Sequence, residues 1–377
     1  MHSIYALLKP ASGLCNMFCD YCFYCDEAAK RQQASYGLMT DETLKNVMRK
    51  CIIPSEQDCM IAFQGGEPTL CGLPFFQKAV EYANHFNRKG INIHFALQTN
   101  GYGITEEWCH FFVENRFLVG ISVDGVERIH NNYRHSGANG GPTYSRVMET
   151  IRLFDKHHVD YNILTVVHRE IANNINEIYH EYRRRGWHYF QFITCLDPLG
   201  EPRGQQPYSL LPADYGQFLI HLFDLWHKDY LQGKAPYIRQ FENYIGILLG
   251  MPSESCEQQG VCGIQYVVEA DGSVYPCDFY ALDEWKLGNF NTQRITEIDQ
   301  RRIELGFRER SFHLPDRCMS CQWRELCRGG CFRSRMTTFE GETGLNYFCE
   351  GYQMFFQHAY EKLALIASKI QKKQLGK

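Results

Sequence analysis

Cysteine is the residue type that most constrains this chain. The 377 residues include 17 cysteines, an odd number that a closed set of disulfides would not leave. One group lies between residues 15 and 25 and a second between residues 256 and 349, with few in the stretch between them. A long chain with this many thiols favours metal binding over a disulfide framework.

The remaining composition is that of an ordinary folded protein. Apolar residues make up 44% and charged residues 22%, which argues against disorder. The 39 basic and 43 acidic residues give a net charge of −4, which argues against a nucleic-acid partner. No apolar run approaches the roughly 20 residues of a membrane span, and the first residues do not resemble a secretory signal. We therefore expect no membrane association and a cytoplasmic location.

The middle of the chain alternates between two hydrophobic periods. Short apolar runs at 4–8, 60–63, 91–97, 118–123, 161–167 and 189–193 predict strands. Helical patterns lie between them at 41–50, 74–86, 106–115, 145–157 and 174–184, and later at 213–230 and 352–373. Strands that alternate with helices of this length indicate right-handed βαβ units and a parallel sheet. We expect an α/β fold, a partial (β/α)6 barrel of the TIM type.

A compact cysteine motif follows the first predicted strand. It has the spacing Cys15-x3-Cys19-x2-Cys22. Three thiolates on one loop can hold three corners of an iron–sulfur cube and leave the fourth iron free for the amine and carboxylate of a small molecule. The alternatives are a zinc site with a distant fourth ligand or free thiols. Structural zinc sites usually pair one C-x2–4-C with a second such pair, so the spacing favours the cluster.

The C-terminal part carries eight more cysteines in two runs. The runs are Cys256-x5-Cys262-x14-Cys277 and Cys318-x2-Cys321-x5-Cys327-x3-Cys331-x17-Cys349. Eight thiols are enough for two clusters with four cysteine ligands each. The alternative is a pair of zinc ribbons in a binding module.

Glycine, arginine and aspartate residues outside the cysteine motifs mark a candidate site. Gly65 and Gly66 follow the second strand, where glycine lets the backbone come close to a ligand, although the segment is also an ordinary turn sequence. Arg134 could bind a carboxylate through two hydrogen bonds or could be a solvated surface arginine. Asp278 directly follows Cys277 among aromatic residues and is a candidate general base, the alternative being a solvated loop aspartate.

These motifs carry a family resemblance. Cys15-x3-Cys19-x2-Cys22 resembles the defining motif of the radical S-adenosylmethionine enzymes, and the C-terminal run resembles the auxiliary-cluster domain called SPASM. Closer matches to one group lie at 9–12, 22–24, 63–70, 97–101, 191–199 and 271–280. Over nearly its whole length the chain is similar to the anaerobic sulfatase-maturating enzymes.

The resemblance implies a role for each motif residue. Three cysteines would hold the radical cluster: Cys15, Cys19 and Cys22. The first auxiliary cluster would take Cys256, Cys262, Cys277 and Cys331, and the second Cys318, Cys321, Cys327 and Cys349. The cofactor contacts would be Tyr21, Gly65, Gly66, Glu67, Ser122, Arg134 and Leu196. Asp278 would be the base, and Tyr24 and Gln64 would contact the peptide. Cys25 is not a ligand of the family.

The resemblance also implies a reaction. The substrate would be an unfolded or nascent sulfatase polypeptide, in which a Cys or Ser is oxidised to Cα-formylglycine (3-oxoalanine). The cofactors would be three [4Fe–4S] clusters and S-adenosylmethionine, which yields 5′-deoxyadenosine and methionine. A flavodoxin or ferredoxin would donate electrons. The alternatives are an enzyme that installs thioether cross-links in a ribosomal peptide and a non-catalytic iron–sulfur electron carrier.

These motifs and predicted elements also divide the chain into domains. The radical S-adenosylmethionine barrel is expected at 1–232, a linker or boundary at 233–254, the SPASM domain at 255–350 and a C-terminal helix at 351–377.

Overall fold

The computed structural model describes residues 3–137, 140–336 and 343–375. These residues form two compact units that alternate along the chain. The first unit takes its described residues from 3–123, 130–162 and 264–307. The second takes them from 124–129, 163–263 and 308–375.

Thirteen strands lie in the described part of the chain. They are β1 Ser3–Lys9, β2 Met17–Cys19, β3 Asp58–Phe63, β4 Asn92–Thr99, β5 Phe117–Ser122, β6 Arg134–Ser136, β7 Gly141–Pro142, β8 Tyr161–Val167, β9 Tyr189–Thr194, β10 Tyr237–Ile238, β11 Tyr266–Glu269, β12 Ser273–Tyr275 and β13 Gly288–Asn289. All six apolar runs predicted as strands are strands.

The described helices cover every predicted helical segment. They are α1 Phe23–Ala29, α2 Asp41–Ile52, α3 Leu73–Phe86, α4 Glu106–Glu114, α5 Glu127–Tyr133, α6 Tyr144–His157, α7 Arg169–Asn173, α8 Ile175–Arg184, α9 Pro212–Leu231, α10 Arg239–Leu248, α11 Cys256–Gln259, α12 Ile295–Leu305, α13 Phe307–Arg310, α14 Asp316–Met319, α15 Arg324–Cys327, α16 Phe332–Arg335 and α17 Cys349–Leu375. Short 3-10 helices are Pro68–Cys71, Asp278–Tyr280 and Asp283–Trp285.

Strand β1 is central in the sheet of the first unit. That sheet has the order β5-β4-β3-β1-β11-β12-β13, and β1 pairs in parallel with β3 on one side and with β11 on the other. The pairs β11–β12 and β12–β13 are antiparallel. A small antiparallel sheet has the order β2-β6-β7. The carboxyl ends of β1, β3 and β11 therefore lie side by side, and Lys9 is paired with Glu269 in the register.

Local sequence signals explain where helix α2 begins and ends. The Thr40 hydroxyl accepts a hydrogen bond from the Thr43 amide at 3.2 Å and caps α2. Asp41 follows in the first turn and Arg49 lies in the last, which suits the helix dipole.

An aromatic core fills the space between β3–β5 and the helices α3 and α4. Phe76 of α3 packs against Phe63 of β3 at 4.9 Å and against Trp108 of α4 at 5.1 Å between ring centroids. Phe95 stacks on Phe117 at 5.0 Å. These rings are buried and fix the strand ends that follow them.

In the second unit, strands β8, β9 and β10 are parallel neighbours and α9, α10 and α17 pack together. Phe223 of α9 contacts Phe241 of α10 at 5.3 Å and Phe355 of α17 at 5.9 Å. The residues 233–254, expected to be a linker or boundary, contain β10 and α10, and Phe241 and Tyr244 are buried. The domain bounds drawn from the sequence stay predictions.

None of the helices in the described part of the chain has the length and apolar character needed to span a bilayer.

Two glycines allow α9 and α17 to cross closely. A β-carbon on Gly351 would overlap the carbonyl oxygen of Pro212 and would lie 2.9 Å from the amide nitrogen of Gly216. We predict that Gly351→Ala destabilises the protein by about 1–3 kcal/mol through overpacking, measured as a lower apparent Tm in calorimetry.

Gly246→Ala in α10 is the matched control. A β-carbon there would have Met251 at 3.8 Å as its nearest neighbour, which is ordinary contact. Its Tm should stay the same or rise, because alanine favours a helix over glycine by roughly 0.5–1 kcal/mol. An unchanged Tm for Gly351→Ala would show that the helices do not depend on this crossing.

Candidate active site

The N-terminal cysteine loop is built between β1 and α1 in the first unit. Cys19 ends β2 and pairs with Arg134 of β6, and Cys22 directly precedes α1. The Cys22 amide donates to the Cys19 carbonyl at 3.1 Å, which makes a tight turn between these two residues. Cys15 is exposed, and Cys19 and Cys22 are partly exposed. Three predicted ligands therefore lie on one short ordered loop.

Polar groups surround the three sulfur atoms. Asn100 Nδ2 lies 3.6 Å from Cys15 Sγ, and Arg134 Nη1 lies 3.8 Å from Cys19 Sγ. A hydrogen bond from the Cys25 side chain lowers the pKa of Cys22 to about 6, whereas burial raises the pKa of Cys15 to about 11. The Asn100 donor at Cys15 and the Arg134 cation near Cys22 favour the thiolate that a cluster requires, whereas burial opposes it at Cys15. The donor set fits the predicted open cluster.

The glycine segment after β3 lies directly against the cysteine loop. The Gly66 amide donates to the Ser12 carbonyl at 2.8 Å, and the Glu67 amide donates to the Leu14 carbonyl at 2.8 Å. A β-carbon on Gly66 would overlap the Leu14 carbonyl. Only glycine fits at this position, so Gly66 holds the two loops in register.

Both oxygens of the Glu67 side chain accept hydrogen bonds from the protein itself. Its Oε1 accepts hydrogen bonds from the amide and hydroxyl of Thr69 and from the Thr99 hydroxyl, and its Oε2 accepts one from the Asn100 amide at 2.7 Å. Burial raises the pKa of the Glu67 carboxyl, and these hydrogen bonds oppose the rise. The side chain therefore holds the end of β4 to the glycine segment, and the contact of Glu67 with a cofactor stays a prediction.

Asp278 begins a 3-10 helix immediately after Cys277. Its Oδ1 lies 2.5 Å from Lys9 Nζ, and its Oδ2 accepts a hydrogen bond from Gln64 Nε2 at 2.8 Å. The Lys9 side chain is fully buried and the Asp278 side chain is 14% exposed. Phe279 packs edge-on against Phe23 at 4.8 Å and ties this segment to α1. The structure thus brings together Gln64 and Asp278, two of the predicted site residues.

A buried network lies beside this carboxylate. The Tyr24 ring lies 3.6 Å below Lys9 Nζ, and its hydroxyl donates to Glu269. Burial and then the Glu269 carboxylate raise the pKa of Tyr24, so the hydroxyl stays a donor. Glu269 also forms an ion pair with Arg31 at 2.6 Å, and both side chains are fully buried. Since the Tyr24 hydroxyl is engaged by Glu269, its contact with a peptide stays a prediction.

Lys9, Arg31 and Glu269 were missed by the sequence analysis as site residues. Lys9 ends an apolar strand and is part of the segment 9–12 that carries the family resemblance, which was the available signal. Arg31 and Glu269 carried no comparable signal, because they lie 238 residues apart in the sequence and form their ion pair only in the folded chain.

Four cysteines of the second unit surround one cavity. Cys318, Cys321, Cys327 and Cys349 line one pocket together with Trp323 and Tyr352. Burial raises the pKa of Cys327 to about 12, so its deprotonation needs a metal or another cation. Four thiols on one pocket are the number and kind of ligands that the predicted second auxiliary cluster needs.

The remaining predicted residues are divided between the units. Cys277 lies in the first unit, whereas Cys256, Cys262 and Cys331 lie in the second, where a hydrogen bond from the Cys262 amide to Ser311 Oγ at 2.9 Å orders part of the loop. The ligand set of the first auxiliary cluster stays a prediction.

The other residues predicted to contact the cofactor also lie in both units. Ser122 ends β5, and Tyr21 lies 5.7 Å from the Arg134 guanidinium, all in the first unit. Leu196 lies in the second unit. Their contacts with the cofactor stay predictions.

Two family models match the chain. The model described as the radical SAM superfamily matches residues 10–182, and the model described as an iron-sulfur cluster-binding domain matches residues 260–322.

Whole-length relatives agree with these matches. The cysteine-type anaerobic sulfatase-maturating enzyme of Clostridium novyi is 41% identical over 374 residues, which are 99% of this chain and 100% of that protein. The enzyme of the same description from Clostridium perfringens is 43% identical and covers 97% of this chain and 98% of its own length.

A solved structure described as native anSMEcpe with bound AdoMet and Cp18Cys peptide is also similar. It is 43% identical, with a TM-score of 0.92, over 98% of this chain and 99% of that chain. This likeness confirms the predicted fold class, a partial α/β barrel followed by a loop-rich cluster domain.

The contact between the glycine segment and the cysteine loop yields a prediction. Gly66→Ala should displace the cysteine loop, so that iron in the reconstituted protein falls from about 12 to about 8 atoms per chain, the loss of one cube. S-adenosylmethionine cleavage should be lost with it. Iron analysis and chromatography of 5′-deoxyadenosine measure both.

The control is Gly103→Ala. A β-carbon there would lie 3.9 Å from Asn16 Nδ2 and 4.0 Å from Thr69 Oγ1, which is ordinary contact. This variant should keep its full iron content. Full iron and normal cleavage in Gly66→Ala would contradict the role given to the loop contact.

Proposed function

The chain belongs to the anaerobic sulfatase-maturating enzymes of the radical S-adenosylmethionine superfamily, and we propose that it oxidises a cysteine of a sulfatase polypeptide to Cα-formylglycine. The observation that carries the proposal is the Asp278 carboxylate, held by Lys9 and Gln64 in the unit that contains the three-cysteine loop. The relatives described as cysteine-type support cysteine as the residue oxidised.

The reaction separates into three removals from the cysteine side chain. The β-carbon loses a hydrogen atom, the thiol loses a proton and one electron leaves, which yields a thioaldehyde. Water then converts the thioaldehyde into the aldehyde and releases hydrogen sulfide. When bound, S-adenosylmethionine on the open cluster supplies the radical that takes the hydrogen atom, and an auxiliary cluster accepts the electron.

Asp278 is the residue that accepts the thiol proton. A carboxylate that accepts a proton must be ionised and must face the substrate in a fixed orientation. Lys9 and Gln64 each engage one oxygen of the carboxylate, and the side chain keeps a small exposed fraction through which a substrate can reach it. The chain therefore places a base where water has little access.

The cysteine loop and the strand ends around it bind the cofactor. Cys15, Cys19 and Cys22 are the proposed ligands of the open cluster. The proposed contacts of S-adenosylmethionine are Tyr21, Gly65, Gly66, Glu67, Ser122, Arg134 and Leu196. Arg134 supports this role because it is buried and lies beside Cys19, where a fixed guanidinium can bind a carboxylate.

Two partners complete the proposal. One is an unfolded or nascent sulfatase polypeptide, because a side chain inside a folded enzyme could not reach Asp278. The other is an electron donor such as a flavodoxin or ferredoxin. A cytoplasmic location is part of the proposal, because none of the 17 cysteines, all of which lie in the described residues, forms a disulfide, which suits a reducing compartment.

The direct experiment uses the reconstituted enzyme and a short Cys-x-Pro-x-Arg peptide together with its Ser counterpart. With reductant and S-adenosylmethionine, mass spectrometry should show the Cys peptide losing its sulfur and gaining an aldehyde. An internal thioether in the peptide would instead indicate the cross-linking reaction. If 5′-deoxyadenosine forms while neither peptide changes, the proposed substrate is wrong.

Asp278→Asn tests the base. The amide cannot take up the thiol proton, so 5′-deoxyadenosine should still form while the aldehyde falls by about 10²-fold or more. The matched control is Glu284→Gln, an exposed carboxylate in the next 3-10 helix, which should keep normal yields. Normal aldehyde formation by Asp278→Asn would remove Asp278 from the base role.

A further inference from the structure

Lys9 carries a charge that the fold has buried completely. It is the last residue of β1, between β3 and β11, and its side chain has no exposed surface. A buried ammonium is strongly unfavourable unless it is paired, and lysine is rarely buried without such a reason. A buried lysine at this position therefore indicates that its charge has a role, which an apolar residue at the end of the strand would not provide.

The counter-ion of Lys9 is Asp278. Lys9 Nζ lies 2.5 Å from Asp278 Oδ1, and neither atom has a hydrogen-bonding partner beyond this ion pair among the described residues. Glu269, the other buried carboxylate at this end of β1, is paired with Arg31. The face of the Tyr24 ring, 3.6 Å from Nζ, is the second favourable contact of the ammonium.

This pairing fixes which oxygen of Asp278 a substrate can approach. Oδ1 is shielded from solvent and engaged by Lys9. Oδ2 accepts one hydrogen bond from Gln64, and a carboxylate oxygen has a second site for a donor. Lys9 and Gln64 thus each hold one oxygen of the carboxylate, and among the described residues Oδ2 keeps one acceptor site without a donor.

The stem of Lys9 is also held in place. A β-carbon on Gly65 would lie 2.9 Å from Lys9 Cβ and 3.1 Å from Lys9 Cγ, so the backbone of the glycine segment lies directly on the lysine stem. Gly65 has φ +105°, a conformation that other residues avoid. The ammonium is therefore positioned by the segment that we propose binds the cofactor.

We propose that Lys9 is a positioning residue for the reaction: it holds the Asp278 carboxylate so that Oδ2 faces the substrate thiol. This inference rests on the proposed function of Asp278 as the base. Lys9 does not touch the substrate; it acts by fixing the orientation of the group that does. Loss of Lys9 leaves hydrogen-atom removal intact and impairs proton removal.

Lys9→Met tests the proposal in the reconstituted enzyme, because methionine has a similar length and no charge. The reaction as written yields one 5′-deoxyadenosine for each aldehyde. In Lys9→Met, the aldehyde formed per 5′-deoxyadenosine should fall about tenfold or more, with kcat for aldehyde reduced and the peptide KM within about twofold. The exposed Lys45→Met in α2 is the control and should behave like the unmodified enzyme.

A double-mutant cycle separates a role through Asp278 from any other role. If Lys9 acts through Asp278, the aldehyde yield of Lys9→Met/Asp278→Asn equals that of Asp278→Asn alone, because the second change removes nothing further. If the yield of the double variant is instead lowered by the product of the two single-variant reductions, the proposal is overturned. A normal aldehyde ratio in Lys9→Met would overturn it as well.

The failures of the two proposals are distinguishable. A normal aldehyde yield in Asp278→Asn overturns the base and the role of Lys9 together. A defective Asp278→Asn beside a normal Lys9→Met overturns only the role of Lys9. If Lys9→Met fails to load its clusters, Lys9→Arg is the test variant, because arginine keeps the cation but moves the donor atoms. At full iron content, its ratio of aldehyde to 5′-deoxyadenosine must fall. An unchanged ratio rejects the proposal.

Discussion

The buried ion pair between Lys9 and Asp278 is the interaction on which the arrangement of this site depends. Removing one partner of a buried pair typically costs about 3–5 kcal/mol, because the other charge remains without compensation. Lys9 stands at the end of the central strand of the first unit, so the 3-10 helix that begins at Asp278 must lie over that strand end. The Tyr24 ring and the Gly65 backbone close around the same ammonium.

A second constraint positions the cysteine loop. Glu67 gathers donors from its own segment and from the end of β4, and Gly66 lets that segment lie against the backbone of Leu14. The loop with Cys15, Cys19 and Cys22 is therefore held by backbone contacts and by a carboxylate whose two oxygens both accept hydrogen bonds from the protein. The chemistry of the open cluster and the proposed base are supported by neighbouring strand ends of one sheet.

Much of the fold could be predicted from the sequence because its elements are locally specified. The run from Met60 to Phe63 and the stripe around Leu219 and Trp226 have the periods of a strand and a helix, and the structure contains both. The residues of α10 lie in the segment predicted as a linker or boundary. Their packing partner is α17, far along the chain, so their burial could not be predicted from the local sequence. The contact of Glu67 with the cofactor stays a prediction, and its donors Thr99 and Asn100 are identified only once β4 is placed beside β3. The pairing of Lys9 with Asp278 is equally non-local.

The most direct measurement is an anaerobic crystal structure of the reconstituted enzyme with S-adenosylmethionine and a Cys-x-Pro-x-Arg peptide. We predict that the peptide sulfur lies within hydrogen-bonding distance of Asp278 Oδ2, about 3.5 Å or less, while Oδ1 remains paired with Lys9. A peptide sulfur that lies away from Asp278, or a Lys9 side chain that has left the carboxylate, would contradict it.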